Sequence, residues 1–302
     1  MAAAQIRLGL IGYGEIGSTL GRGLRQSGLA KIASYDKGAF AGPFSDLIRR
    51  RAQEAGVTLV GSPVELAGCA DVILGVTPGS ASLESAAAFA PHINATHLFV
   101  DVASATPKVK QAVADRLRAS DAVIGDASIV GTPRDGHAMP ILASGPGAEP
   151  MRDALTPWGM RIEPVGPEIG SASGIKILRS VVTKGLEALL VECILGARRY
   201  GVNDVVLASL GKTLSRPFAE VVNGLLTTDV IHAARRAEEA AMSAEALADI
   251  GIEPLMTRAT AARLDWVAGL GLKERLGGVV PANWSDAIVA IETEIARIDN
   301  KR

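Results

Sequence analysis

The first residues with evident chemical potential are Gly12-Tyr13-Gly14-Glu15-Ile16-Gly17, which have the spacing G-x-G-x-x-G. Set between a strand and a helix, such a turn aims backbone N–H groups and the positive end of the helix at a pyrophosphate. Gly12 permits the tight turn, Gly14 the close approach of a phosphate, and Gly17 close packing of helix on strand. An apolar run at residues 6–11 precedes the turn and a helical pattern at 18–26 follows it. A plain strand-to-helix connection is the alternative and explains the spacing less well. All six residues are expected to contact a dinucleotide. Asp36 ends the next strand-like run, about twenty residues on, where a carboxylate can accept a ribose 2′-hydroxyl and repel a 2′-phosphate. NAD is therefore the expected cofactor, with NADP as the alternative because Lys37 stands beside the acid.

Lys176 is the second candidate. It follows Gly170-Ser171-Ala172-Ser173-Gly174, small residues that let a cofactor or substrate approach the backbone. At about 100° per residue, Lys176, Arg179, Ser180, Thr183, Lys184 and Glu187 share one face of a helix, while Ile175, Leu178, Val181, Val182, Leu186 and Leu189 cover much of the rest. A helix so apolar is expected to be buried with its polar stripe toward a cavity; a solvated face, or ion pairs between domains, is an equally open reading. Burial would lower the lysine pKa toward a range useful for proton transfer.

The elements that must position these residues fall into two textures. Through the first half, strand-like runs at 6–11, 31–35, 58–60, 71–76, 97–102, 122–125, 139–143 and 161–165 alternate with helical segments such as 18–26, 44–55 and 108–118. That alternation predicts a doubly wound parallel sheet of the Rossmann type. From 171 onward the pattern is helical throughout. The chain is accordingly read as an α/β cofactor domain over 1–166 and an all-helical substrate and dimerisation domain over 167–302.

Length and composition suit this reading. With 302 residues the chain can bury two cores, and its net charge of −1 offers no basic field for nucleic acid or an anionic membrane. No apolar run is long enough to span a bilayer, and Met1-Ala2-Ala3-Ala4-Gln5 lacks the layout of a signal peptide. A cytoplasmic protein without nucleic-acid or membrane partners is expected. Neither Cys69 nor Cys193 has metal-ligand spacing, so no metal is expected.

Taken in order, further segments make the chain resemble the β-hydroxyacid dehydrogenases, which include 6-phosphogluconate and 3-hydroxyisobutyrate dehydrogenases. Val76-Thr77-Pro78 resembles the loop that lies along the cofactor after the fourth strand. Asp101-Val102-Ala103-Ser104-Ala105-Thr106-Pro107 resembles D-x-S-T-x-x-P, near the nicotinamide. Asp126-Ala127-Ser128-Ile129-Val130-Gly131 resembles the substrate loop D-A-P-V-S-G. Gly170 through Lys176 matches G-x-x-x-x-x-K. Lys176-x-x-Arg179-Ser180, followed by Lys184-Gly185-Leu186-Glu187, resembles a phosphogluconate-dehydrogenase-like branch, as does His232-x-x-Arg235-Arg236-x-x-Glu239.

The resemblance implies hydride exchange between NAD(P) and a small 3-hydroxy acid, with Lys176 as general acid/base. Gly12 to Gly17, Asp36, Thr77, Pro78 and Ser104 would hold the cofactor. Ser104, Ser128, Ile129, Val130, Gly131, Arg179 and Ser180 would hold the substrate. A homodimer through the helical domain is expected on separate grounds, because the apolar surface along Ser171 to Leu195 exceeds what one small domain can cover. Val130 stands where the family carries a serine before the glycine, and Ser180 where it carries an asparagine. An imine reductase on the same fold and a non-catalytic dinucleotide-binding sensor are the rival readings. Lys176 argues against the reductase, whereas a sensor would not need it.

Overall fold

The computed structural model describes residues 6–300, so the opening segment Met1 to Gln5 lies outside the described residues. The chain forms, in order, β1 (Arg7–Ile11), α1 (Glu15–Gln26), β2 (Lys31–Tyr35), α2 (Ser45–Ala55), β3 (Thr58–Val60), α3 (Pro63–Cys69), β4 (Val72–Gly75), α4 (Ser82–Phe89), β5 (Leu98–Asp101), α5 (Pro107–Leu117) and β6 (Val123–Ile129). Next come β7 (Pro140–Ser144), α6 (Ala148–Leu155), β8 (Arg161–Pro164), α7 (Ser171–Tyr200), α8 (Asn203–Leu214), α9 (Phe218–Asp249), α10 (Leu255–Ala268), α11 (Leu272–Arg275) and α12 (Trp284–Asp299).

The strands build one eight-stranded sheet in the order β3-β2-β1-β4-β5-β6-β7-β8. Side chains alternate across a strand, and both faces are apolar. Leu8, Leu10, Val72, Leu74, Leu98 and Val100 join a core completed by α1, α2 and α6. Ile11, Ile73 and Phe99 point the other way, into a core completed by α3, α4 and α5. The strand order reverses between β1 and β4, so the loops leaving those strands border a crevice at the carboxyl edge of the sheet.

Two strands, β7 and the β8 that runs parallel to it, depart from the expected parallel arrangement. β7 pairs antiparallel with β6, because the segment between them supplies no crossover helix and returns directly, with Val130 N–H donating to Pro140 O at 2.9 Å.

Two compact units divide at Ser180, within α7. The opening of α7 is tied to the sheet-bearing unit by polar contacts. Ser144 Oγ accepts from Ala172 N–H at 3.0 Å, and Asp126 Oδ2 accepts from Gly170 and Ser173 N–H at 3.1 Å each. In the second unit α9 packs against α10 and α12, around Val230, Ile231, Leu270, Leu272 and Ala287. Glu192 closes the start of α10, accepting from Met256 N–H at 2.6 Å and Thr257 N–H at 3.0 Å. His232 is exposed, while Arg235 pairs with Glu239 and Arg236 with Asp229.

The apolar side of α7 is not buried in the single chain, contrary to the expectation from its composition. Leu178 is 69% and Val181 67% exposed. Among the described residues no helix is long and apolar enough to cross a membrane.

Candidate active site

The three glycines of the turn meet three different surroundings. Gly12 has φ of 98°, a left-handed conformation that disfavours any side chain, and its N–H donates to Tyr35 O at 2.8 Å. A Cβ on Gly17 would stand 2.2 Å from Gly12 O, so only glycine lets α1 sit this close to β1. A Cβ on Gly14 would meet nothing within 4 Å. Gly14 caps α1 without a side-chain hydrogen bond, and the first N–H groups of a helix have no partner within it. An open approach and uncapped donors fit a pyrophosphate.

A cavity of about 230 Å³ opens beside this turn, lined among others by Gly12, Gly14, Asp36, Thr77 and Pro78. Thr77 Oγ1 is buried with no partner among the described residues, a further polar atom free for a ligand. Asp36 is fixed by the backbone: its Oδ2 accepts from Tyr13 N–H at 2.6 Å and its Oδ1 from Gly38 N–H at 2.8 Å.

The other turn residues do not line this cavity. Tyr13 buries its ring in the core, where burial pushes its hydroxyl up to about 12, and its N–H is engaged by Asp36. Ile16 packs against the same core, and Glu15 is exposed.

Ser104 and Lys176 come together from distant segments, with Lys176 Nζ donating to Ser104 Oγ at 2.6 Å. The lysine is half-buried. Burial first, and the positive charge of Lys110 second, hold its pKa below the ordinary lysine range. Gly79 brings the loop after β4 against the Ser104 loop, since a Cβ there would lie 2.0 Å from Ser104 O.

Beneath this pair is a buried cluster absent from the sequence-based reading. Lys110 is 1% exposed, and its Nζ lies 3.2 Å from both Asp101 Oδ2 and Asp126 Oδ1. It also donates to Asp101 O at 2.7 Å. Asp101 Oδ1 accepts from Ala103 N–H at 3.1 Å, next to Ser104. Burial pushes Asp101 above the usual carboxylate range, against the pull of Lys110. The signal for Lys110 was its spacing: Lys110, Val113 and Leu117 share the buried face of α5.

The expected substrate loop is largely a strand. Asp126, Ala127, Ser128 and Ile129 belong to β6 and pair with β7. Ser128 is 1% exposed, and its hydroxyl has no partner among the described residues. Val130 and Gly131 enter the hairpin, and a Cβ on Gly131 would lie 2.5 Å from Pro140 Cδ. Arg179 is exposed, whereas Ser180 Oγ donates back to Lys176 O at 2.9 Å.

Comparison with known proteins finds a dinucleotide-binding domain over the sheet-bearing part of the chain. Residues 7–164 match the model described as the NAD binding domain of 6-phosphogluconate dehydrogenase, and residues 197–267 match a domain of unknown function, DUF1932. An uncharacterized 28.5 kDa protein from Methanothermus fervidus is 28% identical over 256 residues, covering 84% of this chain and 96% of the relative. A solved conserved protein of unknown function, described as structurally similar to 3-hydroxyacid dehydrogenases, is 31% identical. It superposes with a TM-score of 0.60 over 91% of this chain and 100% of its own. The imine reductase of Myxococcus stipitatus, solved with NADP+, shares the fold at 17% identity, with a TM-score of 0.71 over 88% of this chain and 95% of its own.

Proposed function

The chain belongs to the family defined by the NAD binding domain of 6-phosphogluconate dehydrogenase, and on that footing we propose that it is a dehydrogenase acting on the CH–OH group of a small 3-hydroxy acid. The observation that carries this reading is the contact of Lys176 Nζ with Ser104 Oγ at 2.6 Å. A bound nicotinamide would supply hydride exchange. Lys176, neutral during oxidation, takes the proton of the substrate hydroxyl and returns it as an ammonium in the reverse direction. Ser104 orients the amine and can donate its own proton to a substrate oxygen.

Arg179, exposed less than one turn beyond Lys176 on the same helix, is assigned to the substrate carboxylate, which a guanidinium grips with two parallel bonds. Residues 128–131 are assigned to the shape of the substrate side rather than to its charge, because the Ser128 hydroxyl is buried. The functional division is placed after residue 166, with 1–166 serving the cofactor and 167–302 the substrate and the dimer. NAD is proposed as the preferred cofactor, supported by the carboxylate that Asp36 holds at the cavity wall.

The test is a panel of 3-hydroxy acids, with and without a phosphate group, assayed by absorbance of the reduced cofactor with NAD and NADP. Wild type should turn over at least one acid, and Lys176→Met should lose that turnover while still binding cofactor. Turnover retained by Lys176→Met would overturn the mechanism. Reduction of cyclic imines with no hydroxy-acid turnover would favour the reductase reading. Cofactor binding without either reaction would favour a sensor.

A further inference from the structure

Where the cavity lining carries charge beyond Asp36, it carries one cation and one further anion. Lys37 follows Asp36 directly, and Glu84 stands in the first turn of α4. Ala81, Glu84, Ser85 and Ala88 recur at helical spacing, so one face of α4 forms a wall of the cavity. Lys37 Nζ lies 3.2 Å from Glu84 Oε1. Asp36 is held by two backbone N–H groups and cannot turn its charge away. Lys37 has four rotatable side-chain bonds and no other ion-pair partner among the described residues. It is the only cation among the described lining residues.

A phosphate monoester carries close to two negative charges at neutral pH. At this end of the cavity it would meet the Asp36 carboxylate and look to Lys37 for compensation, whereas a free 2′-hydroxyl needs only an acceptor.

We propose that Glu84 is a specificity-determining residue of the dinucleotide site, holding Lys37 away from a 2′-phosphate and so reinforcing the discrimination made by Asp36. The inference rests on the reading of this cavity as the dinucleotide site. Glu84 acts through Lys37. Its removal frees the ammonium for the phosphate, and it leaves recognition of the 2′-hydroxyl, which belongs to Asp36, in place.

The experiment is calorimetric titration of the full chain with NADH and with NADPH at low salt, where exposed charges are least screened. The proteins compared are wild type, Glu84→Gln, Lys37→Met and the double variant. Both side chains are 72% exposed, so none of these changes threatens the fold. Wild type should bind NADH more tightly. Glu84→Gln should tighten NADPH by about fivefold, the scale of one exposed charge pair, with NADH changed less than about twofold. In the Lys37→Met background the Glu84 change should do nothing.

An unchanged NADPH to NADH ratio in Glu84→Gln overturns the proposal. So does an equal gain in the Lys37→Met background, which would mean that Glu84 repels the phosphate directly. Wild type binding NADPH as tightly as NADH overturns the roles of Asp36 and Glu84 together. Wild type binding neither nucleotide overturns the dinucleotide reading itself, an outcome plainly distinct from an unchanged ratio.

Discussion

Lys110 Nζ lies 3.2 Å from Asp126 Oδ1, and the second oxygen of that carboxylate accepts from Gly170 and Ser173 N–H at the start of α7. One buried ammonium thus stands behind the carboxylate that anchors the helix bearing Lys176. Through Asp101 it also stands behind the loop bearing Ser104. The 2.6 Å contact between Lys176 and Ser104 depends on two backbones that meet at a single cation.

Lys110→Met removes that cation and leaves two buried carboxylates facing each other. Breaking a buried ion pair from one side costs about 3–5 kcal/mol, and urea denaturation should show a loss of that size. The deficit should depend on pH. Without Lys110 the folded state favours a protonated Asp101, already raised by burial. A carboxyl whose folded pKa is raised contributes its stability below the unfolded value and loses it as pH climbs through the folded one. The variant should therefore fall furthest behind wild type near about pH 8 and recover part of the difference near about pH 5. A deficit that grows in acid would contradict the buried triad.

The depressed pKa of Lys176 sets the direction of a pH–rate profile. Oxidation requires the neutral amine, so kcat/KM for oxidation should rise with pH along a limb below the ordinary lysine range. Reduction requires the ammonium and should fall along the same limb. Lys176→Arg keeps the positive charge but cannot deprotonate, and it should abolish the limb together with turnover in both directions. A limb that persists in Lys176→Arg would assign the titration to another group.

Gly14 and Gly17 should separate binding from folding. Gly17→Ala places a methyl 2.2 Å from Gly12 O and must push α1 off β1, so its Tm should drop. Gly14→Ala meets nothing within 4 Å, and as the N-cap of α1 it gives up only the modest preference of that position for glycine over alanine. Its Tm should stay within a few degrees of wild type, while the affinity for NADH falls because the methyl occupies the space assigned to phosphate. Calorimetric titration beside thermal melting distinguishes the two, and unimpaired NADH binding by Gly14→Ala would remove the phosphate from that position.

The spacing of the glycines and the alternation of apolar residues made the Rossmann sheet legible, because both are local consequences of backbone geometry. Residues 31–35 and 58–60 form the strands expected of them. Asp126-Ala127-Ser128 did not read as strand, since its polar members are satisfied or buried by partners far along the chain, at Lys110, Ser144 and the start of α7. Lys110 was missed for a related reason: its spacing with Val113 and Leu117 puts it on the buried face of α5, but a lysine is ordinarily solvated, and only tertiary packing brings two carboxylates to it. Tyr13 belongs to a motif whose spacing specifies its backbone, yet its side chain is claimed by the core. The apolar face of α7 was legible as apolar, but a single sequence does not say which partner covers it.

A homodimer is the proposed cover for that face. Leu178, Val181, Val182, Leu186, Val191 and Leu195 are all exposed along α7. The second unit also holds an open apolar cavity of about 570 Å³, lined by Leu186, Leu190, Cys193, Leu210, Leu214 and others. Apolar surface of this extent is characteristic of an interface rather than of a free monomer. Sedimentation at micromolar concentration should return twice the mass of one 31.2 kDa chain. Leu186→Glu introduces a charge where an apolar contact is proposed, and it should yield monomers. The sheet-bearing unit does not contain this residue, so NADH binding should survive. A wild type that sediments as a monomer would leave α7 without the proposed partner.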